Sequence, residues 1–306
     1  MLLFGFFILS MLGLGFLIYQ ANNNLYTEDA KNSVESVLSL TQELISHEKQ
    51  LTLSVAWMLS QNEAIKKAYR ANDRKALFDA VQKEIQNTKQ YLQMKHLEVQ
   101  FHTKEGNAWV RSWDFESYGN ELASWRQGIA LLHQTKTPLV AVELGKRLNI
   151  KALAPIFDGE RFIGSLEVIS SFDDIAQNLK DKKINFAILM ENRFLEIGAW
   201  MKTLEQINDF VVVNSSCAVH CADTLQSIVT PKTLSQGFAR ANGALFGFTP
   251  LFDIESKQIG YIGVWFDESL LKESLLLRAT LVPPPQSTHI KTLMPSSPKP
   301  QEIIIR

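Results

Sequence analysis

The sequence predicts an α+β protein: an apolar N-terminal membrane helix, a long helical region, then two tandem modules built on antiparallel sheets. Three observations predict it. A hairpin signature occurs twice: Pro155-Ile156-Phe157-Asp158 leads through a polar turn to Ile163-Gly164 and an apolar run, and about 95 residues later Pro250-Leu251-Phe252-Asp253 leads to Ile259-Gly260 and another. Such a repeat means two structural units of one kind. The hydrophobic period changes from helical to alternating near His96. Finally, Met1 to Tyr19 carries no charge.

That uncharged stretch is about the length a helix needs to cross a bilayer. Without a basic n-region or a small-residue cleavage site, it reads as a transmembrane signal anchor over 1–20, with a cleaved signal peptide as the alternative. Nothing of size precedes it, so the bulk of the chain is expected on the periplasmic side of the inner membrane. From Thr27 to Ser60 there is neither Gly nor Pro, and Val37, Leu44, Leu51 and Met58 recur at heptad spacing, with Val34, Thr41 and Val55 between them. Such a stripe packs on the chain's own modules or forms a homodimer seam, and Glu48 interrupts it. A second helical stretch runs from Glu63 to about Gln93 with a break at Asn72-Asp73, making 27–93 one long helical region.

His96 to His102 then alternates polar and apolar, the pattern of a half-buried strand, on which His102 reads as an edge residue. Lys104 to Asn107 is a turn and Ala108 to Trp113 the return strand. Tyr118 to Gln134 reads as helix and loop. Leu139–Leu144, Ile150–Phe157 and Phe162–Ile169 complete about five strands, so the first module spans 94–178. The second, 179–276, is predicted to hold a hairpin of Asn185–Met190 with Phe194–Gly198, a strand at Phe210–Asn214, and the closing hairpin Leu245–Phe252 with Gln258–Phe266. In both closing hairpins, Pro, Asp and Gly are assigned to the strand start and the turn. The Pro-rich segment 283–306 reads as a disordered tail. A sheet with helices on one face and long connections over the other leaves a concave side for a small ligand.

Composition excludes several classes. With 46% apolar and 21% charged residues and a formal charge of -1, the chain is globular and offers no basic footprint for nucleic acid. Its six histidines show no H-E-x-x-H spacing, and there is no Gly-rich phosphate loop or Gly-x-Ser-x-Gly elbow. No enzyme, metal or cofactor is predicted.

A run of short motifs points further. Phe101-His102, Lys104-Glu105-Gly106, Trp109-Val110-Arg111, Tyr118-Gly119-Asn120-Glu121-Leu122, Trp125-Arg126, Thr135-Lys136-Thr137-Pro138, Glu143-Leu144-Gly145 and Lys151-Ala152-Leu153-Ala154-Pro155-Ile156-Phe157-Asp158 resemble, in this order, the double Cache sensory domains of bacterial chemoreceptors, sensor kinases and diguanylate cyclases. The resemblance implies a membrane-leaving helix followed by two PAS-like (Cache) modules, a membrane-distal one at 94–178 and a membrane-proximal one at 179–276. It also implies a role in signal transduction or chemotaxis. Two departures stand out. Gly119-Asn120 replaces the family's usual Gly-Asp, and Lys151 stands where an Arg is frequent, keeping the charge without the bidentate fork. The family continues into an output domain, so the expectation is a sensor lacking its own and working through a transmembrane output partner. A non-catalytic docking protein, or the remnant of a truncated receptor, is the alternative.

The candidate ligand site lies in the first module: Trp109, Arg111, Trp113, Tyr118, Trp125, Arg126, Glu143 and Lys151. Aromatic walls with one or two cations suit an organic acid or amino acid, because rings exclude water around an Arg–carboxylate pair. Alternation puts Trp109, Arg111 and Trp113 on one face. The alternative is that Arg111 pairs internally with Glu143 or Glu167 while the tryptophans are core. In the second module Cys217-Ala218-Val219-His220-Cys221 admits a disulfide, free thiols or, with three possible ligands in five residues, a metal. Only the first module is expected to bind.

Overall fold

The structure, a computed structural model, describes residues 2–92, 94–215, 217 and 221–271, without the side chains of 2–10, 12, 18, 21–23 and 271. The tail predicted over 283–306 therefore lies outside the described residues. Helix α1 (Leu2–Gln61) is 60 residues long, about 90 Å at the usual rise. Among the described residues no helix is long and apolar enough to cross a membrane. Most side chains of the predicted anchor lie outside that description.

Of the predicted stripe, Val34, Val37, Thr41 and Val55 are buried against the chain's own sheets, but Leu44 and Leu51 are only half-buried and Met58 is exposed; Ile45, Glu48, Thr52 and Leu59 are buried instead, because a 3.6-residue helix drifts off a seven-residue repeat. Ser36, Ser39, Gln42, Ser46, Gln50 and Ser54 point outward and are exposed, so the outer face of this stretch is polar. Helices α2 (Glu63–Arg70) and α3 (Arg74–Leu92) fold back beside it. Asn62 caps α2 through the N–H groups of Ala64 and Ile65, and Asn72 takes a left-handed φ of 52° at the break before α3.

The first module is a five-stranded antiparallel sheet of β1 (Leu97–Thr103), β2 (Ala108–Arg111), β3 (Leu139–Leu144), β4 (Leu148–Asp158) and β5 (Arg161–Ser170), in the order β2-β1-β5-β4-β3. Val99, Phe101, Val110, Ala154, Ile156, Leu166 and Val168 form the face packed against the helices. The period of two sends Gln100, His102, Arg111, Lys151 and Glu167 to the opposite face, beneath α4 (Gln127–Thr135) and the loop before it. All five predicted strands are present.

Helix α5 (Asp173–Lys180) leads into a six-stranded sheet: β6 (Asn185–Glu191), β7 (Gln206–Ile207), β8 (Phe210–Val212), β9 (Phe238–Ala241), β10 (Ala244–Phe252) and β11 (Gln258–Asp267), ordered β7-β8-β6-β11-β10-β9. The predicted Asn185–Gly198 hairpin is not formed. Asn192–Glu196 is a 3-10 turn, and β6 pairs with β8 and β11 instead. Asn192 explains the diversion: its backbone N–H bonds Asp209 O at 2.8 Å and its amide donates to Asn208 O at 3.2 Å, tying β6 to the later strand. On one face of this sheet Phe246, Phe248 and Trp265 pack against Leu225 of α6 (Cys221–Leu225), Ile228, and Leu234 of α7 (Pro231–Gln236). Cys217 and Cys221 lie with Cα atoms 5.9 Å apart and are joined as a disulfide in this structure, which tethers the loop to α6.

The repeated signature has a different meaning from the one expected of it. Gly164 and Gly260 are not turn residues; they lie in β5 and β11, opposite Thr103 and Met190. A Cβ on Gly164 would stand 2.6 Å from the His102 carbonyl oxygen, and one on Gly260 would stand 1.9 Å from that of Leu189. Each copy needs glycine because a neighbouring backbone fills the side-chain position. Pro155 and Pro250 lie inside β4 and β10, but beyond the residues where β3 and β9 pair, so no ladder bond is lost.

Candidate functional site

On the polar face of the first sheet, the ladder sets Arg111 opposite Gln100, Gln100 opposite Glu167, and Glu167 opposite Leu153. Lys151, two residues from Leu153, points to the same side. Arg111, Arg126, Lys151 and Glu167 thereby meet at the floor of a cleft of about 90 Å³, which Trp113, Trp125 and Trp200 also line.

The three cations differ in how their charge is used. Arg126, the residue before α4, is spent internally. Its Nε and Nη2 donate to Glu143 at 3.2 and 3.0 Å, and Nη2 also donates to Glu167 Oε1. Burial pushes its pKa down, but Glu167 and Glu143 outweigh that and hold it above the usual arginine range. Glu143 Oε1 also accepts the Gly128 N–H at 3.0 Å, closing a buried triad that fixes α4 over the sheet.

Arg111 makes no such pair. Its Nε donates to Gln100 Oε1 at 3.0 Å, and Nη1 donates to Ser117 O at 2.7 Å and Asn120 Oδ1 at 3.1 Å. All are neutral acceptors, so the predicted internal pairing with Glu143 or Glu167 falls to Arg126. An aspartate in place of Asn120 would neutralise Arg111. The asparagine leaves its charge available, and burial lowers its pKa.

Lys151 is buried, lines the cleft, and has no hydrogen-bond or ion-pair partner among the described residues. Burial, then the Arg126 charge, bring its pKa down to about 8. Gly145 makes room for the amine, since a Cβ there would lie 2.6 Å from Nζ. Glu167 Oε2 is likewise buried without a partner.

Behind Arg111 runs a one-way hydrogen-bond chain. Arginine only donates, so Gln100 accepts through Oε1 and presents its amide to His102 Nε2 at 2.9 Å. His102 Nδ1 then donates to Ser165 Oγ at 3.0 Å, and Ser165 reaches His133 Nε2 at 3.2 Å. His102 is completely buried between two strands, not at an edge. Burial first, then Arg126, hold its pKa well below the usual value.

Three predicted residues lie outside the cleft lining. A β-bulge between Phe101 and His102 pairs His102 with Ala108, so Trp109 leaves the alternation and stacks 4.5 Å from Tyr69 on the helix side. Tyr118 is exposed, with the Arg74 guanidinium 3.6 Å over its ring. Glu143 stands behind Arg126 as its partner. Trp113, Trp125, Arg111, Arg126 and Lys151 line the cleft as expected. Sequence reasoning missed Gln100, Asn149, Lys146, Arg147 and Trp200. Gln100 was legible in the Glu98-Gln100-His102 alternation. Trp200 was not, because it comes from a 3-10 turn of the second module (Ala199–Met201). Its ring lies 5.0 Å from Lys146 Nζ and its backbone N–H donates to Lys146 O at 3.2 Å.

Residues 28–199 match the double Cache family described as the double sensory domain of two-component sensor kinases. The chain belongs to this family. Among solved structures it is similar to a domain of a putative sensory box/GGDEF family protein from Vibrio parahaemolyticus (13% identity, 81% of this chain and 99% of that one, TM-score 0.49). It is also similar to the V. cholerae histidine kinase DctB sensor domain (13%, 79% and 98%, 0.46). A third is the ligand-binding domain of the Campylobacter jejuni chemoreceptor Tlp3 in complex with L-valine (12%, 82% and 97%, 0.44). No curated protein matches the chain.

Proposed function

We propose that the chain is the extracytoplasmic, ligand-binding part of a membrane-anchored signalling receptor, and that the first module binds a small carboxylate-bearing molecule. One observation carries this reading: at the floor of an aromatic-rimmed cleft, Lys151 has no partner and Arg111 is held only by neutral acceptors. Asp114 and Glu167 act on Arg111, and Glu167 and Glu143 on Lys151, only across a distance and without an ion pair among the described residues, so burial still outweighs them; an anionic ligand adds charge-assisted hydrogen bonds that these carboxylates do not make. The second module has a cavity of about 710 Å³ between Asn208, Phe210, Leu234 and Tyr261, but no lysine or arginine lines it, which supports the first as the binding module for an anion. Met1 to Tyr19 supplies the anchor, with the signal leaving through α1 to an output partner in the membrane.

The test is a thermal-shift panel of organic acids and amino acids on the purified protein. At least one is expected to raise Tm, with affinity reduced about tenfold or more in Arg111→Ala, as for a lost charge-assisted bond. A panel without any shift, or a shift equal in the variant, refutes the reading.

A further inference from the structure

We propose that the cleft takes a small 2-oxo acid, whose carbonyl carbon forms a reversible imine with Lys151 Nζ. This deepens the carboxylate reading above and rests on it.

The surroundings of Lys151 carry the inference. The side chain is 4% exposed, lines the cleft, and has neither a hydrogen bond nor an ion pair among the described residues. The space that a Cβ of Gly145 would take lies 2.6 Å from Nζ and 3.4 Å from Arg126 Nη1, so guanidinium and amine crowd one corner. Recognition of a carboxylate does not call for this. Arg111 already offers a planar fork for it, and a lysine meant only as a counter-ion gains from hydration or a nearby anion. A desolvated amine beside a fixed cation is instead the setting that makes lysine a nucleophile toward carbonyl compounds. With its pKa near 8, roughly a tenth of the amine is neutral at pH 7.

The placement fits a ligand with two adjacent functions. Arg111 on β2 and Lys151 on β4 are three strand spacings apart, about 14 Å between backbones, and both side chains reach into the same cleft. Arg111 takes the carboxylate, and the neighbouring carbonyl carbon faces Nζ. A cavity of about 90 Å³ holds a short acid. The reaction needs no oxidant or reductant. The neutral amine's lone pair forms the C–N bond while the carbonyl π pair moves to oxygen, which takes the proton that nitrogen gives up. The C–O bond of this carbinolamine then breaks, and the oxygen leaves as water with a second proton. From ammonium and ketone to iminium and water, the overall count of protons and charge is unchanged. Glu167 Oε2, a buried carboxylate oxygen without a hydrogen-bond partner on the cleft wall, is placed to pass the proton.

The test incubates the full chain with pyruvate, 2-oxobutyrate, 4-methyl-2-oxopentanoate or 2-oxoglutarate and sodium cyanoborohydride, then maps reduced adducts by peptide mass spectrometry. In parallel, calorimetry without reductant compares each 2-oxo acid with its 2-hydroxy counterpart, on the native protein and on Lys151→Arg. The proposal expects an adduct on Lys151 well above every other lysine. It also expects a 2-oxo acid to bind at least about tenfold tighter than its alcohol, and that preference to vanish in Lys151→Arg while carboxylate binding persists. Equal binding of both forms with no Lys151 adduct overturns the imine and leaves the carboxylate reading standing. No binding by either form and no adduct overturns the imine. If the broader acid panel is silent as well, the carboxylate reading falls with it.

Discussion

Replacing Lys151 by methionine, similar in length but uncharged, is expected to stabilise the unliganded protein at neutral pH. The magnitude follows from the position of its titration. Lysine ordinarily titrates at 10.5, and in the fold Lys151 titrates at about 8. That difference corresponds to about 3 kcal/mol disfavouring the folded ammonium. The folded pKa is lowered, so between about pH 8 and 10.5 the unfolded chain binds a proton that the folded chain does not. Stability gained from this group therefore rises with pH across that window, and below pH 8 the whole penalty is present. Lys151→Met removes it: the variant is expected to exceed the native protein by about 3 kcal/mol at pH 7 and by much less near pH 10.5. Urea unfolding at both pH values reads the difference, with groups common to both proteins cancelling. A variant that is destabilised at pH 7, or changed equally at both pH values, would show that the amine is compensated in the fold. The argument for an uncompensated cation in the cleft would then collapse.

Three further outcomes are expected. Arg126→Met leaves Glu143 and Glu167 buried without their shared cation and is expected to cost about 3–5 kcal/mol in urea unfolding, most of it recovered when both glutamates are also made glutamine. Gly260→Ala drives a methyl into the Leu189 carbonyl and is expected to cost about 4 kcal/mol or more by thermal unfolding, whereas Gly159→Ala, with open space but φ +61°, costs about 1. His102 is held neutral in the fold while its unfolded counterpart takes a proton below about pH 6.5, so stability falls as pH drops from there; His102→Gln is expected to flatten that slope between pH 6.5 and 5.

The first module was legible almost strand for strand, because alternation in Leu97-Glu98-Val99-Gln100-Phe101 and in Ser165-Leu166-Glu167-Val168 of β5, and the apolar run Ala152 to Phe157 of β4, are local signals. The second was read less well. Two-residue β7 is too short for any period to register, and β6 finds its partner through Asn192 and Asn208, a pairing set by long-range hydrogen bonds. At the site, residue types were readable but their bonding was not. Arg111 and Arg126 look equivalent in sequence. Only the register that puts Glu167 next to Glu143's partner decides which arginine is spent and which keeps its charge. Trp109 was misplaced for a similar reason, since one inserted residue in the ladder reverses every inward and outward assignment beyond it.

Trp200 gives the cleft a property that neither module has alone. Its ring closes the first module's cleft, while its backbone belongs to the second, and a neighbouring cavity of about 360 Å³ at the module junction shares Arg147, Asn149, Ile169 and Trp200 with it. Any change in how one module seats on the other therefore moves a wall of the cleft. Linkage then works in both directions: if a bound acid favours one seating by some factor, fixing that seating from outside the cleft raises affinity by the same factor. On the proposed function, a chain held by crosslinks along α1 in the seating that its ligand favours is expected to bind that ligand more tightly, by the factor with which the ligand favours that seating.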